Sequence, residues 1–229
     1  MEKLLPSAKQ TKFHLLKLAK KEQLTKNTFV LEFEIPSILK ENFQFQAGQY
    51  VTLKYASNGE IIQNDFSMTS APFEEKISLG IKINYDKSST KDLFNDFIIG
   101  DEMEVSEPKG RFTIGSKPHE FRTIIGFAAG IGITPILSHF KNILHQEPRT
   151  RLFLFYGNRK SEEIPFQKEL EELVKKHQNR FEIFYFFSQE KTEDHLFNGR
   201  LDDKKVKLII NQILHLDDTD EESTIWDAV

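Results

Sequence analysis

Residues 122–140 read RTIIGFAAGIGITPILSHF, an apolar run followed by a glycine-rich turn and a helical pattern. The apolar runs RLFLFYG at 151–157 and FEIFYFFS at 181–188 also precede helical patterns. Apolar runs of this length that alternate with helices indicate βαβ units and a parallel sheet. Residues 117–229 are therefore predicted to form an α/β parallel-sheet domain.

The turn between the first of these strands and its helix contains Gly130 and Gly132. Glycine lets backbone N–H groups approach a ligand, and a helix N-terminus favours negative charge. Thr134 is predicted to cap the helix and Pro135 to occupy its first position. Such a turn can also serve packing alone, but ligands bind at the carboxyl ends of strands in this context, which favours an anion site.

The first half of the chain has a different pattern. Its β-like segments are FHLLKLAKKE at 13–22, FVLEFEI at 29–35, QYVTLKY at 49–55 and KISLGIKI at 76–83, and a single short helix is predicted at 90–97. Many short strands at this spacing favour a small antiparallel β-barrel. We place this domain at residues 1–116, with the linker GSKPHE at 115–120 leading into the second domain.

Composition excludes several classes of function. The net charge of −4 gives no general attraction for nucleic acid or anionic lipid, and no run of 18 apolar residues predicts a membrane span. The chain has no cysteine, which excludes disulfides, thiolate nucleophiles and an iron–sulfur cluster held by this chain. The seven histidines show no metal-ligand spacing, so we expect no metal site. A cytoplasmic protein is the expectation.

The last residues, Ile225 to Val229, resume an apolar pattern after the acidic segment DDTDEES at 217–223, which is predicted to be a solvated loop. A fourth parallel strand is predicted to begin there. We expect the domain to be truncated at Val229; an ordinary C-terminal tail is the alternative interpretation.

Several motifs have the order and spacing of a known family. They are FQAGQYV at 45–51, FSMTSAP at 66–72, Gly100-Asp101, EPKGRF at 107–112, AGIGITPI at 129–136, FYGNR at 155–159 and IPFQKEL at 164–170. In these motifs the chain resembles the ferredoxin–NADP reductase superfamily, and within it the reductase components of bacterial oxygenases, including the phenylacetyl-CoA epoxidase type.

The resemblance implies an N-terminal β-barrel that binds FAD and a C-terminal α/β domain that binds NAD(P)H. It implies hydride transfer to FAD, followed by single-electron transfer to an iron–sulfur centre or oxygenase partner. Ser67 is the implied catalytic residue. The implied flavin contacts are Asn64, Phe66, Ser67, Met68, Thr69, Lys82, Ser89 and Thr90. The implied nucleotide contacts are Gly130, Ile131, Gly132, Thr134, Pro135, Asn158 and Arg159.

Two residues depart from the family pattern on the flavin side. Asn64 stands where the family has an arginine that clamps phosphate, and Lys87 stands where it has a glycine. Lys82 is a candidate phosphate partner or a solvated strand lysine. Ser89 and Thr90 are candidate pyrophosphate donors or a plain helix cap.

The nucleotide preference and the reductase activity both stay open. Arg159 either pairs with a nucleotide 2′-phosphate or is a surface charge, so the sequence does not choose between NADH and NADPH. The main rival function is a flavin-binding or interaction module that has lost reductase activity. A nucleotide-binding dehydrogenase without flavin is the second rival, and the barrel motifs disfavour it.

Overall fold

A computed structural model describes residues 11–85, 88–193, 195–209, 211 and 225–227 of the chain. Lys87 and the acidic segment 217–223, on which two of the expectations above rest, lie outside these residues.

The first half forms a curled antiparallel sheet, as the alternating segments predict. Its strands have the spatial order β4-β3-β6-β1-β2-β5, and a bridge between Met68 and Leu79 joins the two edges of the sheet. The strands are β1 (Phe13–Thr25), β2 (Thr28–Glu34), β3 (Tyr50–Ser57), β4 (Glu60–Ser67), β5 (Lys76–Lys82) and β6 (Glu102–Ser106). One helix, α1 (Ser88–Asp96), lies between β5 and β6.

The inner face of this sheet is filled by apolar side chains that alternate along each strand, because successive side chains of a strand point to opposite faces. On four of the strands, two buried residues lie two positions apart: Leu16 and Leu18, Leu31 and Phe33, Val51 and Leu53, and Met103 and Val105. The core thus accounts for the period-two pattern of the sequence.

The second half is the predicted α/β domain. Its sheet is parallel in the order β10-β7-β8-β9, from β7 (Thr123–Ala129), β8 (Arg151–Asn158), β9 (Phe181–Phe187) and β10 (Ile225–Asp227). The described helices are α2 (Ile133–Gln146), α3 (Gln167–Lys176) and α4 (Asp203–Leu208). Because Ile225 pairs in parallel with Ile125, the prediction of a fourth strand is confirmed.

Helix α2 lies close to both domains. On the sheet side, a Cβ at Gly126 would lie 2.8 Å from the ring of Phe140, so the glycine lets the helix approach β7. On the barrel side, the Ser138 hydroxyl donates a hydrogen bond to the Ser70 carbonyl over 2.6 Å, and both residues are buried. The helix that follows the glycine-rich turn is therefore fixed against the barrel.

Candidate functional site

The glycine-rich turn is a single 3₁₀ turn, Gly130–Gly132, that runs directly into α2. Gly130 has φ +51°, a left-handed conformation that favours glycine, and a Cβ at Gly130 or Gly132 would meet no atom within 4 Å. The Tyr156 hydroxyl donates to the Gly130 carbonyl over 2.7 Å. The turn is thus held from one side, and the side that would carry Cβ atoms is open.

The predicted capping of α2 is wrong in detail. The helix begins at Ile133, so its N-cap is Gly132, and the Thr134 hydroxyl donates back to the Ile131 carbonyl over 3.1 Å. Pro135 occupies the third helical position instead of the first. The 3₁₀ turn continues into the helix without a break, and the first four N–H groups of a helix lack intrahelical partners, so proline is tolerated here.

Asn158 and Arg159 follow at the carboxyl end of β8. Asn158 is buried beside the Tyr156 hydroxyl, yet its Nδ2 has no partner with hydrogen-bond geometry in the described part of the chain. Burial holds the pKa of Tyr156 well above its usual range, so this hydroxyl stays protonated as a donor. Arg159 is exposed, and its carbonyl accepts from the Gln189 N–H over 2.9 Å.

A pair on the same edge of the sheet was not predicted from the sequence. The backbone N–H and the hydroxyl of Ser161 both donate to the Glu190 carboxylate, over 2.7 and 3.0 Å. The two residues lie 29 positions apart, and only the adjacency of β8 and β9 brings them together. No motif in the sequence signals this pair.

On the barrel side, the predicted flavin contacts lie at the end of β4 and just beyond it. Phe66 and Ser67 are half-buried, opposite Val51 and Tyr50 of β3. Met68 points into the barrel core with no exposed area. The Thr69 hydroxyl donates to Ser78, whose carbonyl also accepts the Thr69 N–H.

These contacts separate the four residues into two groups. Phe66 and Ser67 remain accessible to a ligand. The side chains of Met68 and Thr69 are used within the barrel, and the Met68 N–H donates to the Gln49 carbonyl over 3.0 Å. Their contact with flavin stays a prediction.

Two of the remaining predicted flavin residues contact Tyr55, a tyrosine that was not predicted as a site residue. The Asn64 amide donates to the Tyr55 hydroxyl over 2.8 Å, and Ser89 of α1 also contacts this hydroxyl. Burial raises the pKa of Tyr55, against the opposing effect of the Asn64 and Ser89 hydrogen bonds. The Thr90 hydroxyl accepts from the Asn84 N–H over 2.9 Å. Lys82, by contrast, is exposed at the end of β5.

Strand β5 of the barrel contacts the second domain beside the glycine-rich turn. Strand β5 lies against the Gly130–Gly132 turn. A Cβ at Gly80 of β5 would lie 2.8 Å from Cγ2 of Thr134 and 2.6 Å from the ring of Phe166. Because Met68, just beyond β4, is bridged to Leu79 of β5, the end of β4 and the Gly130–Gly132 turn both lie beside β5.

These residues fit the two expected cofactors to different degrees. The open glycine turn and the unpartnered Nδ2 of Asn158 suit a nucleotide phosphate or ribose at the carboxyl edge of the sheet. On the barrel, Ser89, Thr90 and Asn64 supply hydroxyl and amide groups for a pyrophosphate, but Asn64 supplies no cation.

The described residues contain no helix long and apolar enough to cross a membrane.

Comparison with known sequences identifies both halves. Residues 15–114 match the family described as oxidoreductase FAD-binding domain, and residues 127–225 match oxidoreductase NAD-binding domain. The chain is 31% identical over 197 residues to a component of the 1,2-phenylacetyl-CoA epoxidase of Escherichia coli (strain K12), covering 86% of this chain and 55% of that protein. It is also 31% identical over 187 residues to NADH-cytochrome b5 reductase 1 of Dictyostelium discoideum, covering 81% of this chain and 63% of that protein.

A solved structure shows the same fold. A ferredoxin NADP+ reductase from Neisseria gonorrhoeae with bound FAD and NADP matches with a TM-score of 0.75 at 18% identity, over 93% of this chain and 84% of that chain. The chain spans 55% and 63% of the length of the two relatives named above. It carries an FAD-binding domain followed by an NAD-binding domain, and it belongs to the ferredoxin–NADP reductase family.

Proposed function

We propose that this chain is a cytoplasmic NAD(P)H-dependent flavoprotein reductase whose electrons go to an oxygenase component or iron–sulfur partner. Residues 1–116 would hold FAD, and residues 117–229 would hold the nicotinamide nucleotide. The observation that supports this most directly is the contact of β5 with the Gly130–Gly132 turn, because Leu79 of β5 is also bridged to Met68, just beyond the predicted flavin contacts Phe66 and Ser67.

When bound, FAD accepts a hydride from NAD(P)H and returns the electrons singly. The protein would hold the two cofactors at a fixed distance and orientation and would exclude water from the space between them. Phe66 would pack against the flavin ring, and the Ser67 hydroxyl would donate a hydrogen bond beside the ring atom that receives hydride. Ser89 and Thr90 would hold the pyrophosphate.

In the second domain, the backbone of Gly130 to Gly132 would bind the nucleotide phosphates at the start of α2. The Asn158 amide would donate to the nucleotide from the end of β8, where its Nδ2 is otherwise buried without a partner in the described residues. These roles follow from the position of each residue, and substitution can test each one separately.

Flavin binding is tested by the visible spectrum of the purified protein and by titration with FAD. We expect a yellow protein or one that becomes yellow when FAD is added. Phe66→Ala should weaken FAD binding by about 1 kcal/mol, because a ring-packing surface is lost. Leu16→Ala, which truncates a core side chain on β1, a strand not paired with β4, controls for general destabilisation. A protein with no FAD affinity would contradict the proposal.

Turnover is tested by NAD(P)H oxidation with ferricyanide as the electron acceptor. Ser67→Ala should lower the rate of flavin reduction while leaving FAD affinity nearly unchanged, since the hydroxyl is expected to act near the reacting atom. A rate of flavin reduction equal to that of the unaltered chain would contradict a catalytic role for Ser67.

The preference between NADH and NADPH is tested at Arg159. If Arg159 pairs with a 2′-phosphate, Arg159→Ala should raise the KM for NADPH far more than the KM for NADH. Lys160→Ala is the matched control on the adjacent residue. Equal effects on both nucleotides would make Arg159 a surface charge or a general ribose contact.

A second candidate function is a flavin-binding or interaction module without reductase activity. It is favoured by Asn64, whose amide is already used by Tyr55 and which cannot replace an arginine clamp. Bound FAD that NADH and NADPH both fail to reduce would support this candidate over the reductase.

A further inference from the structure

One face of helix α2 carries a stripe of residues that all contact the barrel. Counted from Thr134, the stripe continues at Ser138, Lys141 and His145, a spacing that places the four side chains on one side of a helix. The contacts are Thr134 with Gly80, Ser138 with Ser70, Lys141 with Glu74, and the His145 ring stacked on Phe73 at 4.0 Å.

Lys141 is the charged member of this stripe. Its side chain is only 8% exposed, and its ammonium lies 2.7 Å from the Glu74 carboxylate and 3.0 Å from the Glu169 carboxylate. Glu74 belongs to the barrel, whereas Glu169 belongs to α3 of the other domain. The ammonium therefore bridges the domains while two carboxylates compensate its burial.

Glu74 is itself fixed, because its Oε2 accepts the Ala71 N–H over 2.6 Å. Ala71 directly follows Ser70, the partner of Ser138, and lies four residues beyond Ser67. The stripe thus attaches α2 to the segment of barrel that continues from the predicted flavin contacts. The same helix begins at the Gly130–Gly132 turn, where the nucleotide is expected.

We propose that Lys141 is a positioning residue that fixes the distance between the Gly130–Gly132 turn and the barrel segment that continues from Ser67. This rests on the proposed reductase function. Lys141 touches neither reacting group; it acts through α2, which is too short and too well packed to bend between Lys141 and the turn. A buried ion pair of this kind has a narrow set of geometries, so it selects one orientation of the two domains.

The test uses the FAD-loaded protein and compares Lys141→Met with Lys54→Met. Lys54 pairs with Glu104 at 2.9 Å, but both residues lie within the barrel, so this variant loses an ion pair without affecting the domain boundary. The rate constant of flavin reduction by NADH or NADPH is measured by stopped flow. Because a misplacement of about 1 Å can cost about a hundredfold in rate, we expect a loss of about ten- to hundredfold in Lys141→Met alone.

A second readout does not depend on activity. The chain has no cysteine, so cysteines introduced at the exposed positions Ile61 and Lys176 can carry a pair of spin labels, one on each domain. The distribution of distances between the labels should broaden or shift in Lys141→Met, remain unchanged in Lys54→Met, and return toward the original in Lys141→Arg.

An unchanged distance distribution in folded Lys141→Met overturns the proposal, and so does an equal loss of rate in Lys54→Met. If Lys141→Met does not fold, Glu74→Gln replaces it, because glutamine keeps an acceptor for the Ala71 N–H and removes the charge. If the unaltered chain transfers no hydride, the proposed function fails, and the distance distributions alone then decide the role of Lys141.

Discussion

Gly48 shows how a single backbone position links the two domains. It precedes β3 with φ +87°, and a Cβ there would lie 1.9 Å from the Phe112 carbonyl oxygen and 2.2 Å from Nε2 of His139. The same Nε2 donates to the Phe112 carbonyl over 2.9 Å. Burial lowers the pKa of His139, with the hydrogen bond to Phe112 opposing it, so the ring stays neutral at pH 7. A side chain at position 48 would therefore clash with both groups.

We expect Gly48→Ala to reduce the free energy of unfolding by more than about 2 kcal/mol, because left-handed backbone strain is combined with a steric clash. Gly59→Ala is the control: Gly59 has φ +79°, but a Cβ there meets nothing within 4 Å. It should cost only about 1 kcal/mol from the backbone. Urea unfolding measures both, and equal losses would show that the contact with His139 does not matter.

At the scale of elements, the sequence predicted β1, β2, β3 and β5 of the barrel and the strands of the parallel sheet, but it did not predict β4 and β6. It misplaced the start of α2 because a 3₁₀ turn and a helix share the same local pattern of residues. It found the glycine turn, because two glycines interrupt the apolar pattern where a strand gives way to a helix. It could not find the contacts of Tyr55 or the Ser161–Glu190 pair, because each joins segments that are distant in the sequence and meet only through strand pairing.

The far end of α2 is anchored by another buried carboxylate, Glu147, which follows the helix directly. Its side chain is 1% exposed and accepts hydrogen bonds from Arg122, Thr150 and the Lys117 N–H, so it holds the linker between the domains. Burial raises the pKa of the Glu147 carboxyl, and these hydrogen bonds lower it by more, so the net pKa lies below its ordinary value of 4.5.

A lowered pKa means that this carboxylate stabilises the fold above pH 4.5 and that the contribution is lost as the pH falls through the pKa of the folded state. Glu147→Gln should therefore lower the free energy of unfolding by about 2 to 3 kcal/mol at pH 7, and the difference should shrink toward pH 3. Glu182→Gln, which affects the exposed pair with Arg151, is the control and should cost less than about 1 kcal/mol. A difference that does not change with pH would assign the effect to packing.

For the whole molecule, α2 contributes to holding the two domains together along its whole length. Its first turn lies against Gly80, its middle is fixed by Ser138 and Lys141, and its end is tied to the linker by Glu147. Its start also forms the expected nucleotide site. The contacts that stabilise the domain boundary are therefore also those that we expect to set the distance between the two proposed cofactor sites.

Gly80 offers a way to separate these two properties. An alanine Cβ at this position would lie 2.6 Å from the ring of Phe166, which is buried and has the strained φ of +61°, so the ring has little room to move. The nucleotide domain would have to shift away from β5. We expect Gly80→Ala to retain FAD affinity within about twofold, because the barrel residues that would hold FAD are untouched, but to lower the rate of flavin reduction by about tenfold or more.

Gly115→Ala in the linker, where a Cβ meets nothing within 4 Å, controls for the loss of a glycine. FAD titration and stopped-flow reduction of the two variants give the comparison. A parallel loss of FAD affinity and rate in Gly80→Ala would mean that β5 itself is distorted. An unchanged rate would mean that hydride transfer tolerates movement of the domains. The contact between Gly80, Phe166 and Thr134 would then not set the distance over which hydride passes.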